Sequence, residues 1–128
     1  MVYPKELKYT KEHEWIKLEG KNAAIGVTSY AIEQLGDVVY LDLPKVNTEF
    51  NVHDAFGTIE STKTVSDLYT PVKCKVLEVN QVVLDTPEML SQDAYQNGWL
   101  IKVEIVGELP TTLLDAEEYQ KYIHQLSS

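Results

Sequence analysis

Turn-forming residues interrupt this chain so regularly that its apolar runs have the length of strands, roughly 4–8 residues, and few leave room for a helix. Trp15-Ile16-Lys17-Leu18 runs into Glu19-Gly20-Lys21-Asn22, a hairpin signal, and then into Ala23-Ala24-Ile25-Gly26-Val27. Val38-Val39-Tyr40-Leu41-Asp42-Leu43 is rich in branched and aromatic residues, and Pro44 ends it. Phe56 to Ile59 and Val65 to Tyr69 form another candidate pair. Val76-Leu77-Glu78-Val79 and Leu100-Ile101-Lys102-Val103-Glu104-Ile105 follow, the last alternating cleanly. This pattern predicts a mainly β protein, a compact sandwich or barrel with small flanking helices.

Two helices are predicted among these strands. Thr28 can cap a short one that carries Ala31, Ile32 and Leu35 on one face and stops at Gly36. Near the C-terminus, Asp115 and Glu118 form an acidic capping box, and Leu114 and Tyr119 have the spacing of a hydrophobic staple. Tyr119, Tyr122, Ile123 and Leu126 then make an apolar stripe that must pack on the strands, which makes residues 1–128 one domain around a single core.

Charge and composition exclude several function classes. The 11 basic residues face 20 acidic ones, for a net charge of -9, and every basic residue is Lys. An anionic surface without guanidinium forks is unsuited to nucleic acid. No run approaches the roughly 18 apolar residues of a membrane span. The N-terminal residues lack the features of a signal or transit peptide, so a cytoplasmic protein is expected, or a mitochondrial matrix one if a leader has been removed. Cys74 is the only cysteine, which rules out an internal disulfide and a thiolate zinc cluster. His13, His53 and His124 are far apart, and no metal site is visible.

Chemistry concentrates between Phe56 and Val72. An apolar strand enters, small and polar residues turn, and a second strand leaves, which sets Lys63 near a hairpin tip. A lysine that is acylated by one enzyme and then visits several others must project from a rigid scaffold with small neighbours and a fixed register. Ser61, Thr62 and Thr64 are small, and both flanks suit paired strands.

Glu60-Ser61-Thr62-Lys63-Thr64-Val65-Ser66-Asp67 resembles the lipoyl-attachment segment of the glycine cleavage system H protein family. The likeness extends over nearly the whole chain. His13-Glu14-Trp15, Ile25-Gly26-Val27-Thr28-Ser29-Tyr30-Ala31, Leu35-Gly36-Asp37-Val38-Val39, Gly98-Trp99-Leu100-Ile101-Lys102 and Leu113-Leu114-Asp115-Ala116-Glu117-Glu118-Tyr119 also match in order and spacing. Two segments depart from the family pattern. Lys73-Cys74 stands where the family tends to have Ser-Gly, and Ala94-Tyr95-Gln96 where it tends to have Pro-Tyr-Gly. Losing a glycine at each place predicts altered turns there.

The resemblance implies a lipoyl-domain-like sandwich or hybrid barrel and a carrier that breaks no bond itself. It implies lipoate joined to Lys63, with Glu60, Ser61, Thr62 and Asp67 forming the attachment hairpin. Glu14 is implied to face the amine of the loaded arm, with Asp67 a second acidic position nearby. The implied partners are glycine decarboxylase with its pyridoxal phosphate, an aminomethyltransferase using tetrahydrofolate, dihydrolipoyl dehydrogenase and a lipoate-attaching enzyme, all meeting a monomer. Three other readings compete. A biotinyl domain would flank its lysine with methionine, where this chain has Thr62 and Thr64. An H-like protein could serve lipoyl relay or regulation outside glycine cleavage. An enzyme could use Cys74, with Lys73 and Lys75 lowering its thiol pKa, although no oriented base is recognisable.

Overall fold

The computed structural model describes residues 3–126. In chain order its strands are β1 (Lys8–Tyr9), β2 (Glu14–Glu19), β3 (Asn22–Val27), β4 (Val38–Asp42), β5 (Glu49–Phe50), β6 (Ala55–Ser61), β7 (Val65–Tyr69), β8 (Cys74–Val79) and β9 (Ile101–Ile105). They form two antiparallel sheets, a six-stranded one in the order β1-β2-β3-β9-β8-β5 and a three-stranded one in the order β4-β6-β7. The expected mainly β, lipoyl-domain-like sandwich is therefore the observed architecture.

Alternation decides what lies between the sheets. Ile16, Ile25, Val76 and Val103 of the larger sheet meet Leu41, Phe56, Ile59 and Leu68 of the smaller one in a single buried cluster. At β2–β3 the cross-strand pair Trp15–Gly26 is a close approach, because a Cβ on residue 26 would lie 2.5 Å from the indole. Only glycine lets that ring lie flat on its neighbour.

The first helix is as the sequence predicts. In α1 (Ser29–Leu35) the Thr28 side chain accepts from the Ala31 N–H, and Gly36 ends the helix with its N–H donated to the Ile32 carbonyl. Two further elements escape the periodicity, which short segments cannot display. They are α2 (Gln81–Asp85), capped by the Asn80 side chain, and the 3₁₀ turn Pro87–Ser91. The strands β1 and β5, two residues each, are missed for the same reason.

At the C-terminus, α3 (Ala116–Leu126) starts with the expected reciprocal cap. The Asp115 N–H donates to Glu118 Oε1 at 3.0 Å and the Glu118 N–H to Asp115 Oδ1 at 2.8 Å. Its packing corrects the expectation of one core. Tyr119 is fully buried in a second, largely aromatic cluster with Tyr3, Leu7, Tyr9 and Trp15, its ring stacked on Tyr9 at 4.8 Å between centroids. The apolar stripe is also shorter than predicted, for Leu126 is 49% exposed. The edge strand β1 is too short to give the last turn of α3 a platform.

Candidate functional site

The attachment segment folds as a tight β6–β7 hairpin whose loop is Thr62-Lys63-Thr64. The Ser61 N–H donates to the Thr64 carbonyl at 2.8 Å and closes the turn. The buried Ser61 hydroxyl then accepts from the Lys63 and Thr64 N–H groups, both at 3.2 Å. Sequence reasoning valued Ser61 only for its small size, whereas its hydroxyl organises the tip. Thr62 donates its N–H to the Asp37 carbonyl at 3.2 Å, which ties the tip to the chain just after α1.

Lys63 stands exposed on this turn, and among the described residues no carboxylate lies within ion-pair distance of its Nζ. Its side chain leans over Gly36. A Cβ built on residue 36 would lie 3.6 Å from Lys63 Cε and 3.8 Å from Nζ. At φ +84° the backbone of Gly36 favours glycine, and Lys63 passes over it at ordinary van der Waals distance. Beside the tip, the cross-strand row Tyr40–Glu60–Val65 shows its flanking apolar residues to solvent, with Tyr40 57% and Val65 58% exposed.

Glu14 is set apart from this tip. It is 2% exposed, so the alternative of a solvated surface carboxylate is gone. The Thr10 hydroxyl donates to its Oε1 at 2.7 Å and the Tyr69 N–H to its Oε2 at 3.3 Å. Burial pushes the Glu14 carboxyl up to about 8, against the opposing pull of those two hydrogen bonds. Tyr69 closes β7, and the four residue steps from Val65 to Tyr69 span about 13 Å of strand. Asp67 lies between, exposed on β7 and touched by the Tyr69 phenol at 3.4 Å. Tyr69 thus contacts both acids, through its N–H on Glu14 and its hydroxyl on Asp67. Glu60, Ser61, Thr62 and Lys63 gather at the tip, while Glu14 is at the other end of the strand.

The turn before Glu14 is fixed from the C-terminus. His13, at φ +70°, accepts the Thr28 N–H on its carbonyl at 3.0 Å, and its Nδ1 lies 2.8 Å from the Tyr119 hydroxyl. That same hydroxyl is 2.8 Å from Thr28 Oγ1, the cap of α1. Sequence reasoning missed Thr10, Tyr69 and Tyr119 as members of the site. The partners of Tyr69 and Tyr119 lie 55 and up to 106 residues away, beyond any local pattern, whereas Thr10 meets Glu14 across only four residues.

The cysteine enzyme reading fails on geometry. Cys74 is buried at the start of β8, 3.6 Å from Thr70 Oγ1, and burial raises its thiol pKa despite Lys73 and Lys75 on either side. At the two departures from the family pattern the backbone accepts side chains. None of Lys73, Cys74, Ala94, Tyr95 and Gln96 adopts a left-handed φ. In the second segment the Asp93 carboxylate accepts the N–H groups of Tyr95, Gln96 and Asn97, which holds the turn and draws its own pKa down, and Gly98 packs directly on the Asp93 carbonyl.

A lysine on a rigid hairpin of a two-sheet sandwich defines a lipoyl-domain-like protein. The family model described as glycine cleavage H-protein matches residues 7–126, and the chain belongs to that family. A glycine cleavage system H protein of Staphylococcus saprophyticus is 48% identical over 124 residues, 96% of this chain and 98% of that one. One from Carboxydothermus hydrogenoformans is 47% identical over 125 residues, 97% of this chain and 96% of that one. The crystal structure of a glycine cleavage system H protein from Mycobacterium marinum superposes with a TM-score of 0.86 at 38% identity, covering 95% of this chain and 99% of the other.

Proposed function

We propose that this chain is the lipoyl carrier of glycine cleavage, a single carrier domain over residues 1–128 that holds lipoate as an amide on Lys63. The observation that carries the reading is Lys63 itself, exposed at the tip of a turn that the Ser61 hydroxyl fixes, in a chain of this family. The site fits the group. Lys63 is exposed, and Thr62 and Thr64 beside it are small. Bound there, lipoate supplies a dithiol–disulfide pair that carries the aminomethyl group of glycine.

The chain's own residues position and shelter. Ser61 fixes the direction of Lys63, and Glu60 and Thr62 complete the strand end that an attaching enzyme must read. Amide formation removes the Lys63 charge and moves the net from -9 to -10. Glu14 receives the amine at the end of the loaded arm. With its pKa near 8 it is mostly neutral while sealed, and the arrival of a cation favours its ionised form. Asp67 adds a second negative charge on the approach. No residue of the chain breaks a bond. The work is done by glycine decarboxylase, the tetrahydrofolate-dependent aminomethyltransferase and dihydrolipoyl dehydrogenase, which meet the monomeric carrier in the cytoplasm or the mitochondrial matrix. Tethering raises the local concentration of the carried group to the order of millimolar at each enzyme.

Peptide mapping after incubation with a lipoate-attaching enzyme tests the attachment, and glycine–bicarbonate exchange with glycine decarboxylase tests the role. The lipoyl mass is expected on the fragment that contains Lys63, and exchange only with the modified protein. Lipoyl on another lysine, or biotin on Lys63, overturns the assignment.

A further inference from the structure

The two oxygens of Glu14 have partners of different kinds. Oε2 meets the Tyr69 N–H, which only donates, whereas Oε1 meets the Thr10 hydroxyl, which donates or accepts. Of these two partners only Thr10 can take a proton from the carboxyl. The Thr10 oxygen also accepts the Glu14 N–H at 3.1 Å, which leaves it one lone pair and its own hydrogen. While Glu14 is ionised, that hydrogen points to Oε1. While Glu14 is protonated, Oε1–H donates to the remaining lone pair and the Thr10 hydrogen turns outward. Passing between the two states moves one proton across the hydroxyl.

Outward lies a pocket of about 440 Å³, lined by Thr10, Lys11, Glu12, His53, Pro71 and Glu118. It has room for several waters, each with a share of roughly 30 Å³, so the turned hydroxyl still finds a partner. His53, between β5 and β6, is exposed, and its N–H donates to the Thr70 carbonyl at 2.9 Å, which seats it beside Pro71. Its Nδ1 lies 3.3 Å from Glu12 Oε1. Glu12 is the charged neighbour that resists ionisation of Glu14, while Tyr69, with Asp67 beyond it, stands on the β7 side. An imidazole takes up and passes on a proton near neutral pH, and a proton on His53 offsets the charge of Glu12.

Resting on the reading that Glu14 receives the amine of a loaded arm, we infer that Thr10 and this pocket form the exit through which Glu14 gives up its proton, with His53 as the side chain that takes it. An arm that approaches along β7 covers the Tyr69 side, so the Thr10 side is the one left open for the carboxyl to ionise. The hand-over balances. The Glu14 Oε1–H bond is replaced by a Thr10 O–H bond, and the former Thr10 proton passes through pocket solvent to the imidazole. The products are the Glu14 carboxylate and an imidazolium beside Glu12, with no change in net charge. Each acid of the β1–β2 turn then faces one cation, the amine at Glu14 and His53 at Glu12.

The test follows the ¹³C-labelled side-chain carboxyl of Glu14 by NMR through its titration in the unmodified protein, with Glu14→Gln assigning the resonance. The midpoint reports how firmly the proton is held, and the line shape at the midpoint reports how fast it exchanges with solvent. Thr10→Val keeps the shape but loses the hydroxyl, and should slow exchange on the order of a hundredfold, splitting one averaged resonance into two. Thr10→Ser should restore the single resonance. His53→Ala, at an exposed position outside the core, should slow exchange several-fold with the midpoint unmoved, whereas a merely structural role would move the midpoint instead. Exchange as fast as the parent's in Thr10→Val or in His53→Ala overturns the exit. Lipoate on Lys63 is read separately by intact mass, so the carrier reading can fail while these rates stand, and the exit can fail in a protein that is fully lipoylated.

Discussion

Lys63 and Glu14 flank the same strand, β7, and are held in opposite ways. The lysine is exposed on a three-residue turn, and its position depends on backbone groups gathered by one hydroxyl, that of Ser61. The carboxyl is sealed, with a donor on each oxygen and a pKa near 8. One end is built to be reached by large partners, and the other to hold a proton away from water. The difference teaches that the tip draws on the rest of the fold mainly through register and the Thr62–Asp37 hydrogen bond. The acid instead depends on Thr10, Tyr69 and, through the His13 turn, on Tyr119.

The largest effect should come from the exposed end. Lys63→Arg keeps the charge but lacks the primary amine that forms the amide, so lipoylation and exchange activity should fall to background. The melting temperature should stay unchanged, because Nζ has no ion pair to lose among the described residues. A mass spectrum and a thermal melt check both. A marked loss of stability would break the contrast by showing that the tip is coupled to the core.

Glu14 should show the reverse. Its folded pKa is raised from 4.5 to about 8, so the native state binds the extra proton across that interval and loses stability as pH rises through it. Denaturant unfolding of the parent should weaken between pH 4.5 and about 8, by an amount on the order of a few kcal/mol. Glu14→Gln should remove that part of the slope, being closest to the parent at low pH and relatively more stable at pH 8. In Glu14→Ala lipoylation should proceed normally, but the isolated loaded carrier should release formaldehyde and ammonia faster in buffer without tetrahydrofolate. Equal decay of parent and variant would remove Glu14 from the site.

Smaller effects sharpen the picture at the tip. Ser61→Ala removes the acceptor for two turn N–H groups and should cost about 1 kcal/mol, with slower lipoylation at saturating attaching enzyme. Asp67→Asn should change stability by less than about 0.5 kcal/mol, since Asp67 is exposed and meets the Tyr69 phenol only at 3.4 Å. Its effect on decay of the loaded form should be smaller than that of Glu14→Ala.

How legible these regions were in the sequence follows from the range of their interactions. The β6–β7 hairpin, the Thr28 and Gly36 ends of α1 and the Asp115–Glu118 cap rest on partners within a few residues, and each is readable from spacing. The burial of Glu14 is not, because alternation in Glu14–Glu19 cannot say which end of the strand is covered. That cover comes from Thr10, from Tyr69 across the fold, and from the turn that Tyr119 steadies. The aromatic cluster around α3 was hidden for the same reason. Its stripe was visible, but the two-residue strand that limits its platform was not. Around Cys74 the sequence allowed an activated thiol but favoured a small semi-buried residue, and burial on β8 bears out the latter.

The strand order has a consequence for synthesis. In the large sheet β3 pairs with β9, Asn22 opposite Glu104 and Ile25 opposite Ile101, across most of the chain. A ribosome must therefore release residue 105 before β3 gains its second neighbour, and until then both β3 and β8 present open edges to other chains. The β6–β7 hairpin needs only its own residues. Nascent chains stalled before Ile101 should thus display a formed attachment turn on an unfinished sandwich, and should depend on chaperones in proportion to how long translation pauses there.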